Sequence, residues 1–306
     1  MKTGTESLPW SRQTWDSIHQ AVHDEVRRVV IAPKLLPLYG PIPEALTVTS
    51  DALGVDDENR WVVDEAAVAP LLEIWADFSL TPQQVAKEVE LTSARTLAIR
   101  AANFVARAQD AAIFQGDGAL ATDPLFSSGA VKFRSGPAGS GLLGDVDPEQ
   151  VIVVEPLEDG EGPNLRFGER TFAAVARGYE RLQNLGHYGP YALILESLPY
   201  ADAFAPQPRT LILPADRIQP LVLSGFYGTG TLPGSSGILL SVGGDTMDLA
   251  VGKAATTTFQ FEDDAGKFRF RVLTRFALRL KDRSAVVRFE FGAQPVSPPK
   301  KKRKAR

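Results

Sequence analysis

The sequence predicts an α+β fold, with mixed elements first and an antiparallel sheet late. Three observations carry this. Over residues 12–29, 81–115 and 169–184, apolar side chains recur at spacings of three and four, the period of a helix with one buried face. From residue 237 onward the pattern changes to strand-like segments separated by turns. The chain has 306 residues with 44% hydrophobic and 23% charged side chains, a globular composition of one large or two modest domains.

The elements follow in order. Trp15, Ile18, Val22, Val26 and Val29 form one stripe of the first helix, with Arg12, Asp16, Gln20, Asp24 and Arg27 opposite, and Pro33 and Pro37 stop it. Residues 44–79 read as a long hairpin, with strand-like Trp61-Val62-Val63 and Leu71-Leu72-Glu73-Ile74-Trp75 and an acidic turn at Asp56-Asp57-Glu58. Thr81-Pro82 supplies a capping hydroxyl and then a proline at the first helical position. From there one helix is expected to about Gln115, ended by Gly116 and Gly118. That is a spine about 50 Å long. Residues 134–148 are loop-like. A strand at 151–154, a helix at 169–184, a strand at 191–195 and helices at 197–204 and 214–223 come next. The last strands are 237–242, 247–251, 256–262, 268–280 and 285–291, with a hairpin turn at Asp263-Asp264-Ala265-Gly266.

Composition removes several chemistries. Cysteine is absent, so there are no disulfides, thiolate zinc sites or thiol nucleophiles. Only His19, His23 and His187 are present, too few for a site built from several histidines. His19 and His23 stand four apart without a third ligand of matching type, so a surface helix face is the expected role and no metal is called. The longest uncharged stretch, 218–244, holds seven glycines and two prolines and cannot be one membrane-spanning helix. A cytoplasmic setting is the simplest expectation. Gly139-Ser140-Gly141-Leu142-Leu143-Gly144 spells a dinucleotide fingerprint, but a proline-glycine loop precedes it and no helix is expected after it. No catalytic spacing emerges, and the acidic groups at 56–58 and 262–264 sit at turns. No catalytic residue, cofactor or enzymatic activity is assigned.

Charge is unevenly spread. The last seven residues hold Lys300, Lys301, Lys302, Arg303, Lys304 and Arg306, so the rest of the chain carries −10 against −4 for the whole. Three readings of this tail stay open: a solvated tail, which is favoured, an electrostatic tether for nucleic acid, and an import signal, natural or appended.

Four passages, in order, resemble the encapsulins, the shell proteins of bacterial nanocompartments, in the branch without an inserted nucleotide-binding domain. They are the first helix with Trp15 and Ile18 leading to Tyr39-Gly40-Pro41; Asp110-Ala111-Ala112-Ile113-Phe114-Gln115-Gly116 at the end of the spine; the run from Gly186-His187-Tyr188-Gly189-Pro190-Tyr191 to Leu195; and 237–240 followed by Gly243-Gly244-Asp245-Thr246-Met247-Asp248-Leu249-Ala250-Val251-Gly252. The third and fourth look most like the iron-storing myxobacterial branch.

The resemblance implies a Hong Kong 97-type phage major capsid fold. It divides the chain into an N-terminal arm and helix (1–43), an extended loop that pairs with a neighbouring subunit (44–79), a peripheral domain with the spine helix (80–150), an axial domain (151–235), a peripheral-domain sheet (236–294) and a basic tail (295–306). It implies self-assembly of sixty copies or a small multiple into an icosahedral shell. Cargo enzymes would dock through a C-terminal peptide in a groove that maps to Trp15, Ile18, Val22, Val26, Leu249 and Val251, where ordinary core packing is the competing role. Phe204, Gln207, Arg209 and Thr210 fall where the family lines its fivefold pore. By branch analogy the cargo is a ferritin-like or hemerythrin-like iron oxidase, with a peroxidase as the alternative. Some members hold a flavin beside an aromatic at the start of the spine; Pro82-Gln83-Gln84 stands there, and no flavin is expected. The competing reading with the same fold is a prophage major capsid protein enclosing DNA, which the body's charge of −10 disfavours. An enzyme outside the family would need a constellation that is not found.

Overall fold

A computed structural model describes residues 8–64, 67–134, 138–144, 146–157, 166–206 and 212–292. The Ser11 hydroxyl accepts from the Thr14 N–H at 3.1 Å and opens α1, Arg12–Val29. Its stripe of Trp15, Ile18, Ala21 and Val22 is buried. A short α2, Ala32–Leu35, and β1, Leu38–Tyr39, lead into a projecting arm. The arm comprises β2 (Thr47–Thr49), β3 (Ala52–Val55), β4 (Trp61–Asp64) and β5 (Val68–Pro70). The chain returns to the body as β6, Leu72–Leu80, where alternate residues Leu72, Ile74 and Ala76 are buried.

The expected 34-residue spine is broken. Thr81 caps α3, Pro82–Ala86, in a reciprocal capping box with Gln84. Next come α4, Glu88–Leu91, and then α5, Ser93–Gln115. The true spine is therefore 23 residues, about 35 Å long. Thr92, at φ 49° and ψ 30°, makes the break. The buried Glu88 carboxylate accepts from the N–H groups of Ala94 at 2.7 Å and Arg95 at 3.1 Å, satisfying donors that an interrupted helix exposes.

Gly116 ends α5 at φ 60°, a left-handed value that glycine adopts freely. Then follow α6 (Asp117–Thr122), α7 (Pro124–Ser127), β7 (Lys132–Arg134) and α8 (Gly141–Gly144). The last corrects the reading of 134–148 as loop throughout. A Cβ on Gly116 would overlap the Gly139 carbonyl oxygen, so these glycines let two backbones touch. The remaining elements are β8 (Val151–Val154), α9 (Glu169–Asn184), β9 (Tyr191–Glu196), α10 (Ser197–Ala203), α11 (Pro214–Ile218), β10 (Gly225–Thr229), β11 (Ser236–Ser241), β12 (Met247–Glu262), β13 (Phe268–Leu280) and β14 (Val286–Phe291). The expected strands at 247–251 and 256–262 are one strand, β12. Its register against β13 shifts between Val251 and Lys253, Lys253 and Thr256, and Phe259 and Phe261. Those irregularities interrupt the alternation on which a sequence reading depends.

Among the described residues the strands form two five-stranded sheets and two small ones. The first sheet runs β1-β12-β13-β6-β7, with β1 parallel to β12 and the other neighbours antiparallel. The second runs β10-β9-β11-β14-β8, and its outer pairs, β10 with β9 and β14 with β8, are parallel. The single late sheet expected from 236 to 294 is thus corrected. Only β12 and β13 extend the first sheet, while β11 and β14 join the second. In the second sheet Ile194, Ile238 and Leu240 pack into the core shared with α1 and α5, whereas Leu193, Leu195 and Leu239 pack with α9. A strand buried on both faces reads as an unbroken apolar run, as Tyr191–Leu195 of β9 does.

Candidate assembly arm and docking surfaces

The arm is built as two two-stranded sheets. Its root pairs β2 with β5, Val48 opposite Ala69, and its distal part pairs β3 with β4, Val55 opposite Trp61 and Leu53 opposite Val63. The root packs on the outer face of the first sheet, where Val48 and Leu71 meet Ala250 and Ala277. The distal part has no such support. Trp61 is 74% exposed, and Val55, Val62 and Val63 are exposed beside it. A lone two-stranded hairpin is marginal in water, and contiguous exposed apolar side chains mark interaction sites. Trp61 and Trp75 both stand in strand-like segments of the sequence, but the two differ. Trp75 is half-buried, with the Arg271 guanidinium 4.5 Å from its ring centroid. Arg271 and Lys132 bracket Asp77 at 2.8 and 3.2 Å. Partial burial works against the Asp77 charge, but those two cations outweigh it and hold the carboxyl below its ordinary range.

The six residues mapped to a docking groove divide in two. Trp15, Ile18, Val22 and Leu249 are buried in the main core. Trp15 sits edge-on to Trp10, with centroids 5.0 Å apart, and Trp10 stacks on Phe270 at 5.4 Å. Each such burial contributes roughly 1.5–3 kcal/mol. Val26 and Val251 are only partly buried and pack against the edge of that core, as do Ala255 and Phe259 of β12. α1 lies against β12, and the His19 Nε2 is 3.1 Å from the Thr257 carbonyl oxygen. Among the described residues no group of three or more histidine, aspartate or glutamate side chains is arranged to hold a metal ion.

Asp110, near the end of α5, is the anchor that joins this region to the spine. Its carboxylate oxygens accept from the N–H groups of Ile31 at 2.8 Å and Ala32 at 3.0 Å, at the start of α2. Burial raises its pKa to about 7 against the opposing pull of those two N–H groups and of Lys34.

Of the four residues mapped to a pore, Phe204 lies at the end of α10. It stacks parallel to Phe226 at 5.8 Å and meets Tyr200 at 5.1 Å, leaving part of its ring exposed. Gln207, Arg209 and Thr210 lie outside the described residues, as does the basic tail from Lys300 to Arg306. A cleft of about 1320 Å³ opens between the arm and the body, lined by Ser50, Leu53, Ser140, Asp147, Arg181 and Lys281 among others. The glycine-rich 139–144 run lies on its wall. No helix among the described residues is long and apolar enough to cross a membrane.

Sequence and structure comparisons agree with this geometry. The chain is 26% identical over 301 residues to the type 1 encapsulin shell protein EncA of Myxococcus xanthus (strain DK1622), covering 94% of this chain and 96% of that one. The virus-like particle protein from Pyrococcus furiosus superposes with a TM-score of 0.62 at 15% identity, over 90% of this chain and 99% of that one. The capsid protein of Myoviridae phage XM1 does so with a TM-score of 0.54 at 10% identity, over 83% and 88%. The fold is that of the Hong Kong 97-type capsid proteins. The profile of the Linocin_M18 family, described as encapsulating protein for peroxidase, matches residues 3–134 and 161–277. The chain belongs to that family, the encapsulin shell proteins.

Proposed function

We propose that this protein is the repeating subunit of a closed icosahedral compartment in the cytoplasm, holding a cargo enzyme on its inner wall. The observation that carries the reading is the arm. Its distal hairpin exposes Trp61 and its valine neighbours on a two-stranded sheet, which gains support when another copy covers it. The arm from β2 to β5 is then the extended loop, shorter than the expected 44–79 because β6 pairs with β13 and β7 in the first sheet. The first sheet with α5 is the peripheral domain, and the second sheet with α9 and α10 the axial domain. The pore lies on the side of Phe204, at the end of α10.

Cargo docks where α1 meets β12. Val26 and Val251 offer accessible apolar surface there, and Trp15, Ile18, Val22 and Leu249 form the packed floor beneath. A short peptide captured weakly at each copy is held by many copies together. The chemistry belongs to the cargo, a ferritin-like or hemerythrin-like iron oxidase or a peroxidase, making the compartment an iron store or a shield against oxidants.

The test is to purify the protein expressed alone and with a ferritin-like cargo bearing its C-terminal peptide, and to image both by negative-stain electron microscopy. Uniform closed shells free of nucleic acid support the reading, and the diameter gives the copy number. Monomers or small oligomers at high concentration would sink it, and DNA-filled shells would favour a prophage capsid. Val26→Asp and Val251→Asp shells should close normally but capture at least about tenfold less cargo.

A further inference from the structure

We infer that Arg279 sets the direction in which the arm leaves the body, and through it the curvature with which shells close; the second half of this rests on the shell reading. Arg279 is on β13, in the same outward row as Arg269, Arg271 and Arg275, but it alone of the four is buried, at 4% exposure. Every group that holds it belongs to the arm's root or the strands beneath. Its Nε and Nη2 donate to the two carboxylate oxygens of Asp248 at 2.7 and 2.6 Å. Its Nη1 donates to Asp51 at 2.8 Å and to the Thr49 carbonyl at 3.4 Å. The ring of Tyr39 lies 4.2 Å from the guanidinium carbon. Lys281 completes the cluster, 3.1 Å from Asp248 and 2.7 Å from Asp245.

Asp51 is the informative member. It stands at the corner between β2 and β3, where the root sheet ends and the distal sheet begins, with φ 49°. The arm turns where Arg279 holds it. Two residues on, the Leu53 N–H donates to the Lys281 carbonyl at 2.8 Å. Swinging the distal hairpin breaks the Asp51 contact and leaves a buried cation with one carboxylate. A buried ion pair adds little net stability over an apolar substitute. What a planar, five-donor guanidinium adds is direction, because a bidentate pair on one side fixes where the third acceptor must stand. Burial works against the Arg279 charge, but Asp248 and Asp51 outweigh it and hold its pKa above the ordinary value.

The test uses full-length shells of the parent, Asp51→Gly and Asp51→Asn, with diameters from cryo-electron microscopy and amide exchange on the disassembled subunits. Glycine accepts the positive φ and removes the contact; asparagine accepts it and keeps an oxygen for Nη1. In Asp51→Gly, Leu53 exchange should rise at least about tenfold, and the particles should fall into two or more size classes or remain as folded open assemblies. Asp51→Asn should stay close to the parent in both. A single parental diameter in Asp51→Gly overturns the inference, whether or not Leu53 exchange rises, since neighbours would then be what aims the arm. Failure of the parent itself to form shells would instead strike the shell reading.

Discussion

At the scale of one residue, Asp110 shows how a side chain serves as a backbone partner for a distant element. The sequence marks it as part of a pattern at the spine's end, but its partners Ile31 and Ala32 lie 79 and 78 residues away. No local spacing reveals such a bond. Its pH dependence follows from the direction of its shift. The folded-state pKa of about 7 is above the ordinary value of 3.8, so the folded chain retains a proton that the unfolded chain loses. The stability tied to this group is therefore complete below pH 3.8 and declines as pH rises to about 7. Above that it is level, with the cost of the buried charge fully present. Asp110→Asn removes the titration. Thermal unfolding from pH 4 to 8 should show the parent losing ground against Asp110→Asn up to about pH 7 and holding level beyond. A difference constant across the range would refute the assignment. The docking residues teach the complementary lesson. The stripe from Trp15 to Val26 was legible as apolar, but periodicity alone cannot separate a stripe that faces the core from one that faces a ligand.

At the scale of elements, legibility tracks how local the determinants are. The helix Glu169–Asn184 and the strand beginning at Tyr191 appear where expected, because their patterns are continuous and their ends carry their own signals. The spine reads as one helix in sequence because a helical pattern hides the break at which Glu88 reaches forward to cap α5. Glu88→Ala should uncap one buried and one partly buried donor and destabilise the subunit by about 1–3 kcal/mol, measured by urea unfolding under conditions that keep it disassembled. Unchanged stability would mean that water replaces the carboxylate. The two glycines after the spine make a sharper contrast. Both read as helix terminators. Only Gly116 has a positive φ and a carbonyl in the way of a side chain; Gly118 sits inside α6 with open space around it. Gly118→Ala should be neutral or stabilising by up to about 1 kcal/mol, and Gly116→Ala should cost more than 1 kcal/mol. Equal effects would deny the Gly116–Gly139 contact any importance.

At the scale of the whole molecule, strand membership was the least legible feature. β11 and β14 belong to one sheet and β12 and β13 to the other, although all four follow one another in the chain. Nothing in the alternation of a single strand names its neighbour, and β11 is apolar on both faces because two cores claim it. The arm is the converse case. Its hairpin was legible, but that it stands away from the body was not, because exposed and buried valines look alike in sequence. This separation allows folding and assembly to be tested independently. Trp61 and Val63 are exposed on the distal hairpin and contribute little to the subunit's own core. Trp61→Asp and Val63→Asp should therefore leave the unfolding free energy of the isolated subunit within about 0.5 kcal/mol of the parent. Desolvating a carboxylate in an apolar contact costs on the order of 2 kcal/mol or more at each interface. A closed shell repeats that interface in every copy, so a modest local cost becomes a collective one. Sedimentation velocity should show the parent as one large particle and both variants as folded subunits or small oligomers at the same concentration. Variants that still close into parental shells would place the contact between copies somewhere other than the distal hairpin.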